Sequence, residues 1–184
     1  MSERLRLFVA LELPLAVRAA LAAWATDVAP QGVRLVPAEN LHVTLVFLGS
    51  RAAEDAEAVA ALLAGVAMPL GRVATAGALW LPRRKPGVLS VALACGDAVG
   101  ALRDRLVAGL VDAIGFEPEG RAFRPHVTVG RVARDARSRL DTRGELEPPV
   151  PALSFDPPAL TLYRSRTASD GARYEALARV ALAG

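Results

Sequence analysis

Histidine, lysine and cysteine are all scarce in this chain of 184 residues. It contains two histidines and one cysteine, and Lys85 is its only lysine. The lone Cys95 excludes an intrachain disulfide and a metal centre built from cysteines. A glycine-rich phosphate loop is also missing, which argues against the usual kind of nucleoside triphosphate site. The chemistry of the chain therefore depends on where its two histidines lie.

Long apolar runs are missing as well. The only long candidate, residues 8–25, is interrupted by Glu12, Pro14 and Arg18, so it does not predict a membrane span. The N-terminal residues lack the apolar stretch and cleavage site of a signal peptide, and we expect a cytoplasmic protein. With 53% hydrophobic residues and a mean hydropathy of +0.32, the composition is that of a globular chain.

The positive charge of the chain is almost entirely arginine, which makes up 21 of the 22 basic residues. The net charge is +3 and the sequence pI is about 9.7. A guanidinium group binds phosphate through a planar fork, so the composition favours an anionic ligand. Arginine and alanine together are also what a GC-rich coding bias produces. The positions of particular arginines are therefore better evidence than their number.

The two histidines lie in the same tripeptide. His42 is followed by valine and Thr44, and His126 is followed by valine and Thr128. Both surrounding runs are rich in β-branched residues and predict strands, in which each histidine shares a face with its threonine. A single histidine on a strand is more often structural, but the recurrence favours function. Two imidazoles that titrate near pH 6.5 can supply a general acid and a general base together.

The order of predicted elements repeats. Each half of the chain shows a strand, a helix and a strand that carries a histidine motif, and the spacing from Phe8 to His42 matches that from Val91 to His126. Asp97 and Gly115 are typical of the beginning and end of a helix. The predicted strands cover residues 4–13, 41–48, 73–81, 88–95, 124–131, 159–166 and 174–182, and the predicted helices cover 14–28, 54–67 and 97–114, with a long connection at 133–151 and a turn at 169–171. We expect one domain, residues 1–184, with two facing lobes.

Two histidines and two threonines suit an anionic phosphorus centre, because hydroxyl groups and a cation can hold its non-bridging oxygens. Arg131 is the candidate cation, and the missing side chain of Gly130 would let a phosphate come close. The alternative is that Arg131 is a solvated residue at the end of a strand. Zinc is a poor alternative, because a catalytic site usually has three protein ligands and only Glu39 lies near a motif.

The sequence resembles the 2H phosphoesterases, and in detail the bacterial RNA 2′,3′-cyclic phosphodiesterases, also called RNA 2′-5′ ligases. The resemblance covers nearly the whole chain. It rests on residues 6–14, 37–49, 123–131 and 160–165, followed by Gly171 and Tyr174. The two stretches that contain the histidine motifs are the most specific. Two departures stand out: Gly130 occupies a position where alanine is common, which we expect to be harmless, and Ser90 occupies one where tryptophan is common.

The resemblance implies an α+β fold with two pseudo-symmetric lobes, each an antiparallel sheet with outer helices, around a central cleft. It implies that His42 and His126 are catalytic, and that Thr44, Thr128 and Arg131 bind the substrate phosphate. No metal or nucleotide cofactor is expected. The implied reaction opens RNA 2′,3′-cyclic phosphate ends to 2′-phosphates, with possible 2′-5′ joining of RNA. The implied partner is RNA with a 2′,3′-cyclic phosphate end, such as a tRNA fragment. The composition predicts no membrane contact, and a monomer is favoured, although the sequence leaves the oligomeric state open.

Roles within the pair are assigned from the expected product. A 2′-phosphate requires the 3′-oxygen to leave. Because Arg131 is contiguous with the second motif, we place the attacking water beside His126 as proton acceptor and make His42 the proton donor. Phe8 and Tyr163 are candidates for stacking a base, with core packing as the alternative. Two other functions stay open: the same chemistry on a small cyclic phosphate, such as a nucleotide or ADP-ribose derivative, and a non-catalytic RNA-binding module.

Overall fold

A continuous antiparallel sheet runs through the structure. The computed structural model describes residues 3–82, 85–137, 139, 140, 142, 144, 146–168 and 171–182. The strands are β1 (Arg4–Glu12), β2 (Val33–Leu35), β3 (His42–Ala52), β4 (Val73–Leu81), β5 (Val88–Cys95), β6 (His126–Val132), β7 (Ser154–Phe155), β8 (Ala159–Ala168) and β9 (Gly171–Ala181). The helices are α1 (Leu15–Val28), α2 (Ala53–Val66) and α3 (Asp97–Ile114), and a 3₁₀ turn, Ala38–Asn40, precedes β3.

The strand order divides the sheet into two halves. It reads β7-β4-β5-β6-β3-β1-β8-β9, with β2 also paired to β6. At the centre, β3 and β6 are joined through one register pair, Val43 opposite Val127. The half that contains β3 therefore has four strands and the half that contains β6 has five, including β2, and each half contains one histidine motif. This arrangement confirms the predicted α+β fold with two antiparallel halves.

The helices bury apolar stripes with helical spacing. α1 buries Val17, Leu21 and Trp24, whereas α3 buries four residues, Val99, Leu102, Leu106 and Leu110. α3 ends as predicted at Gly115, whose φ of 56° is left-handed and easily adopted by glycine. The predicted capping role of Asp97 is wrong. Asp97 is the first helical residue, and Gly96 occupies the cap position without a side-chain hydrogen bond.

The other differences from the predicted elements are at short or terminal segments. β2 and β7 were not predicted, because two or three residues are too few to show an alternating pattern. β3 extends further than expected, to Ala52, and β9 begins at Gly171. Ser169 and Asp170 of the predicted turn lie outside the described residues. The connection 133–151 contains no strand or helix in its described part, as predicted. None of the described helices could cross a bilayer.

Gly130 of β6 makes room for β2, which corrects the expectation that its missing side chain admits a phosphate. A Cβ atom at this position would lie 2.5 Å from Cγ1 of Val33 and 3.6 Å from Cβ of Leu89. Both neighbours are apolar, and Leu89 is fully buried. An alanine at this position would therefore force Val33 or β2 to move.

We predict that Gly130→Ala lowers the free energy of unfolding by about 1–3 kcal/mol through overpacking, measured by urea denaturation. Adding Val33→Ala should restore part of the loss, because it removes the clashing methyl group. Gly100→Ala is the matched control: this glycine lies in α3 with nothing within 4 Å of its Cβ position, so stability should be unchanged or slightly higher. Equal stability of Gly130→Ala and the wild-type protein would contradict the packing argument.

Candidate active site

The junction of β3 and β6 brings the two histidine motifs together. Because the strands are antiparallel and Val43 pairs with Val127, His42 lies opposite Thr128 and Thr44 lies opposite His126. The two valines are 1% and 0% exposed, so they point into the core. The four polar side chains therefore share the other face.

Backbone carbonyl groups orient both imidazole rings in the same way. Nδ1 of His42 lies 2.7 Å from the carbonyl oxygen of Asn40, and Nδ1 of His126 lies 2.7 Å from that of Arg124. A carbonyl oxygen can only accept, so Nδ1 donates in each ring. Nε2 is left as the atom that can exchange a proton. Oγ1 of Thr44 lies 3.0 Å from Nε2 of His42.

The carbonyl group of Asn40, which bonds to the His42 ring, is held in place by a contact that the sequence did not reveal. The side-chain Nδ2 of Asn40 donates to the carbonyl oxygen of Ala172 at 2.9 Å, which ties the 3₁₀ turn to the start of β9. The same residue therefore orients His42 through its backbone and is held in place by its side chain. The only signal in the sequence is its position, two residues before His42.

Aromatic rings surround His42. Ring centroids lie 4.9 Å from His42 for Phe8, 6.2 Å for Tyr163 and 5.3 Å for Tyr174, the last in an edge-on arrangement. Phe8 is only 3% exposed and stacks on Tyr163 at 5.2 Å, so the base-stacking prediction for Phe8 is wrong. Its ring packs behind His42 instead. Tyr163 is partly buried against Phe8, whereas Tyr174 lines the cleft.

This environment keeps His42 neutral. The pKa of His42 is lowered from 6.5 to about 4, mainly by burial; the interactions with Arg131, His126 and Arg18 act in the same direction, and the hydrogen bond to the Asn40 carbonyl opposes them. At neutral pH, with no anion bound, His42 therefore carries its single proton on Nδ1 and presents an unprotonated Nε2.

The motifs face a cationic cleft of about 1100 Å³. Its described lining contains one acidic residue, Glu119, and seven arginines, namely Arg34, Arg103, Arg121, Arg124, Arg131, Arg134 and Arg137. Arg121 pairs with Glu119, and Arg103 pairs with Asp104. The other five make no ion pair with a described acid. Arg131, the predicted phosphate ligand, is exposed in this cleft and lies opposite Arg34 in the register of β2 and β6.

Residues 13–168, most of the chain, match the sequence model of the 2′-5′ RNA ligase superfamily. The chain belongs to this superfamily. An RNA 2′,3′-cyclic phosphodiesterase of Escherichia coli (strain K12) is 32% identical in an alignment of 193 positions that covers 99% of each protein. Among solved structures, TT0787 of Thermus thermophilus has a TM-score of 0.80 at 29% identity, with 96% of this chain and 97% of that one covered. E. coli LigT complexed with 3′-AMP has a TM-score of 0.78 at 29% identity, with 99% and 100% covered.

Ser90 of this superfamily member lies directly behind the second motif. It is fully buried, it is the register partner of Thr128, and its Oγ lies 3.5 Å from Oγ1 of Thr128. The position at which the family resemblance led us to expect tryptophan thus holds a small polar side chain that contacts the threonine hydroxyl. It offers no stacking surface.

A polar network beside the first motif was also missed by sequence reasoning. Glu12, the register partner of His42, accepts hydrogen bonds from Oγ1 of Thr161 at 2.8 Å and from Nε of Arg179 at 3.0 Å. Burial alone would raise the pKa of Glu12, but these two hydrogen bonds and the charges of Arg179 and Arg18 lower it below 4.5. The ionised carboxylate therefore ties β1, β8 and β9 together next to His42.

We predict that His42 of the free protein titrates near pH 4 in an NMR titration, with the proton on Nδ1 at neutral pH. Arg131→Ala should raise this pKa, because it removes a positive charge that disfavours the imidazolium. Arg72→Ala, at an exposed site that does not affect His42, is the control. A His42 that titrates near pH 6.5 in the free protein would contradict the burial argument.

Proposed function

We propose that this protein opens RNA 2′,3′-cyclic phosphate ends to 2′-phosphates without a metal ion. The observation that carries the proposal is the side-by-side placement of two His-Val-Thr motifs, with Nδ1 of each imidazole bonded to a backbone carbonyl and a cleft lined by arginine. The names of the relatives, RNA 2′,3′-cyclic phosphodiesterases, support the same substrate. Both motifs come from one chain, so we propose a monomeric enzyme, acting in the cytoplasm on RNA ends such as those of tRNA fragments.

The proposed reaction is an in-line displacement at phosphorus. His126 accepts a proton from water through Nε2, and the water oxygen forms the new bond to phosphorus. The bond from phosphorus to the 3′-oxygen breaks, and His42 gives that oxygen a proton. Thr44 and Thr128 donate hydrogen bonds to the non-bridging oxygens. Arg131 offsets the developing negative charge.

The proton donor role of His42 depends on the substrate. With no anion bound, its pKa of about 4 leaves too little imidazolium at neutral pH. A cyclic phosphate carries a negative charge, and an opposite charge within a few ångströms favours the protonated imidazole. Substrate binding therefore raises the pKa of His42, so that its imidazole is protonated when a leaving group is present.

Guanidinium groups supply the positive charge that a metal ion gives in other phosphoryl-transfer sites. Seven arginines line the described part of the cleft, and their field repels a divalent cation. The site histidines and threonines are better suited to proton transfer and hydrogen bonding than to binding a metal. We therefore propose that hydrolysis proceeds in excess chelator.

The same site can join RNA. If the 5′-hydroxyl of a second RNA replaces water, its oxygen attacks phosphorus and passes its proton to His126. The departing 3′-oxygen takes a proton from His42, as in hydrolysis. The product is a 2′-5′ linkage with a free 3′-hydroxyl, and the reverse path regenerates the cyclic phosphate.

We predict that His42→Ala and His126→Ala each lower turnover of a cyclic-phosphate RNA end by roughly 10²–10⁴-fold, as expected for loss of a general acid or base. Circular dichroism should show both variants folded. Arg72→Ala, on the exposed surface, should retain full activity. Near-full activity of either histidine variant would show that its imidazole is structural.

The proton roles have a separate test. In a cyclic end with sulfur at the 3′ bridging position, the leaving group needs little protonation. This substrate should largely rescue His42→Ala and leave His126→Ala inactive, measured as the ratio of turnover on sulfur and oxygen substrates. Rescue of His126→Ala alone would reverse the two roles. Rescue of neither would mean that both histidines mainly stabilise charge.

A further inference from the structure

An exposed aromatic side chain of β3 lines the cleft beyond Thr44, on the side of the segment that precedes His126. Phe47 is 62% exposed, and its ring packs against Phe8, with ring centroids 6.0 Å apart. Across the cleft, the segment before β6 contributes Phe123 and Arg124 to the same lining. An aromatic ring left open to solvent inside an arginine-lined cleft is a surface on which a nucleic acid base can stack.

Unpaired arginines lie on both sides of the two motifs. Arg124 precedes His126 at the start of β6, whereas Arg131 follows Thr128 near its end, so the pair flanks the motif side chains along one strand. Among the described residues, neither has an acidic partner. Beyond Arg131, a smaller adjoining pocket of about 390 Å³ is lined by Arg34, Asn40 and Tyr174 on the His42 side.

A single RNA end can contact the cleft on only one side of the two histidine motifs. A 2′,3′-cyclic phosphate is the last group of its strand, so the strand continues away from phosphorus in one direction only. In-line displacement puts the entering and departing oxygens on opposite sides of phosphorus. The departing 3′-oxygen, next to His42, places the strand on the side of Arg34 and Tyr174. Water entering next to His126 needs neither an exposed ring nor an arginine.

We propose that Phe47, Phe123 and Arg124, which we call the Phe47 surface, bind a second RNA segment whose 5′-hydroxyl enters in place of water. This inference rests on the proposed function and on its assignment of His126 as base. The first base of the second segment stacks on Phe47, and its backbone phosphate binds Arg124. The 5′-oxygen forms the bond to phosphorus and gives its proton to His126. The bond to the 3′-oxygen breaks, and that oxygen takes the proton of His42.

The test compares two reactions of one enzyme. For hydrolysis, a donor oligoribonucleotide with a cyclic-phosphate end is given alone. For joining, the donor is held at a saturating concentration and the concentration of a 5′-hydroxyl acceptor oligoribonucleotide is varied. Phe47→Ala should lower kcat/KM for the acceptor by roughly 5- to 150-fold, the range for removing one stacked base. Hydrolysis of the donor should change by less than about twofold, since water makes no stacking contact. Phe47→Trp, which keeps an aromatic surface, should retain joining.

Two matched variants complete the design. Leu15→Ala removes another exposed apolar side chain, 80% exposed and outside the cleft, and should change neither reaction. Arg34→Ala, on the donor side, should raise KM for the donor in both reactions.

Equal loss of hydrolysis and joining in Phe47→Ala, or no loss in either, would overturn the Phe47 surface. A wild-type protein that hydrolyses the donor but joins nothing at high acceptor concentration would also overturn it and leave the hydrolytic function standing. A wild-type protein without either activity would refute the proposed function itself.

Discussion

The pairing of Val43 with Val127 is the constraint on which the site depends. These valines bury their side chains in the core, and strand geometry then sends the residues on either side to the opposite face. A slip of one residue would put both imidazoles into the core and both valines into the cleft. The register that joins the halves of the sheet is thus the same register that assembles the site. Carbonyl groups two residues upstream then fix both rings through Nδ1, which leaves Nε2 as the atom that can exchange a proton.

The positive charge of the cleft is the second feature on which the candidate site depends. The cleft has many guanidinium groups and little acid to offset them, so the protein without substrate holds a concentrated positive potential. Burial and that potential keep His42 neutral until an anion arrives. In the proposed mechanism, a phosphate both binds the arginines and restores the proton affinity of His42. Substrate binding and protonation of His42 would then be coupled through one electrostatic interaction.

The sequence predicted the parts of the fold that follow from periodicity. Alternation and helical spacing identified the long strands and the three helices, and the repeated tripeptide identified the four residues that the structure brings together in the candidate site. Contacts between residues far apart in the sequence could not be predicted from these patterns. The side chain of Asn40 bonds to Ala172, a residue 132 positions away. Register shifts lie just before Phe8 and just after Val9 in β1, so no simple alternation shows that the ring of Phe8 packs behind His42. The role of Gly130 likewise depends on β2, which is too short to recognise.

The most direct test of the account is the identity of the product formed in excess EDTA and ¹⁸O-labelled water. An oligoribonucleotide that ends in a 2′,3′-cyclic phosphate is the substrate, and ³¹P NMR with mass spectrometry identifies the product. The account predicts a 2′-phosphate that carries one ¹⁸O atom, formed at the same rate with and without chelator. A 3′-phosphate, a mixture of isomers, or activity that disappears in EDTA and returns with added metal would contradict it.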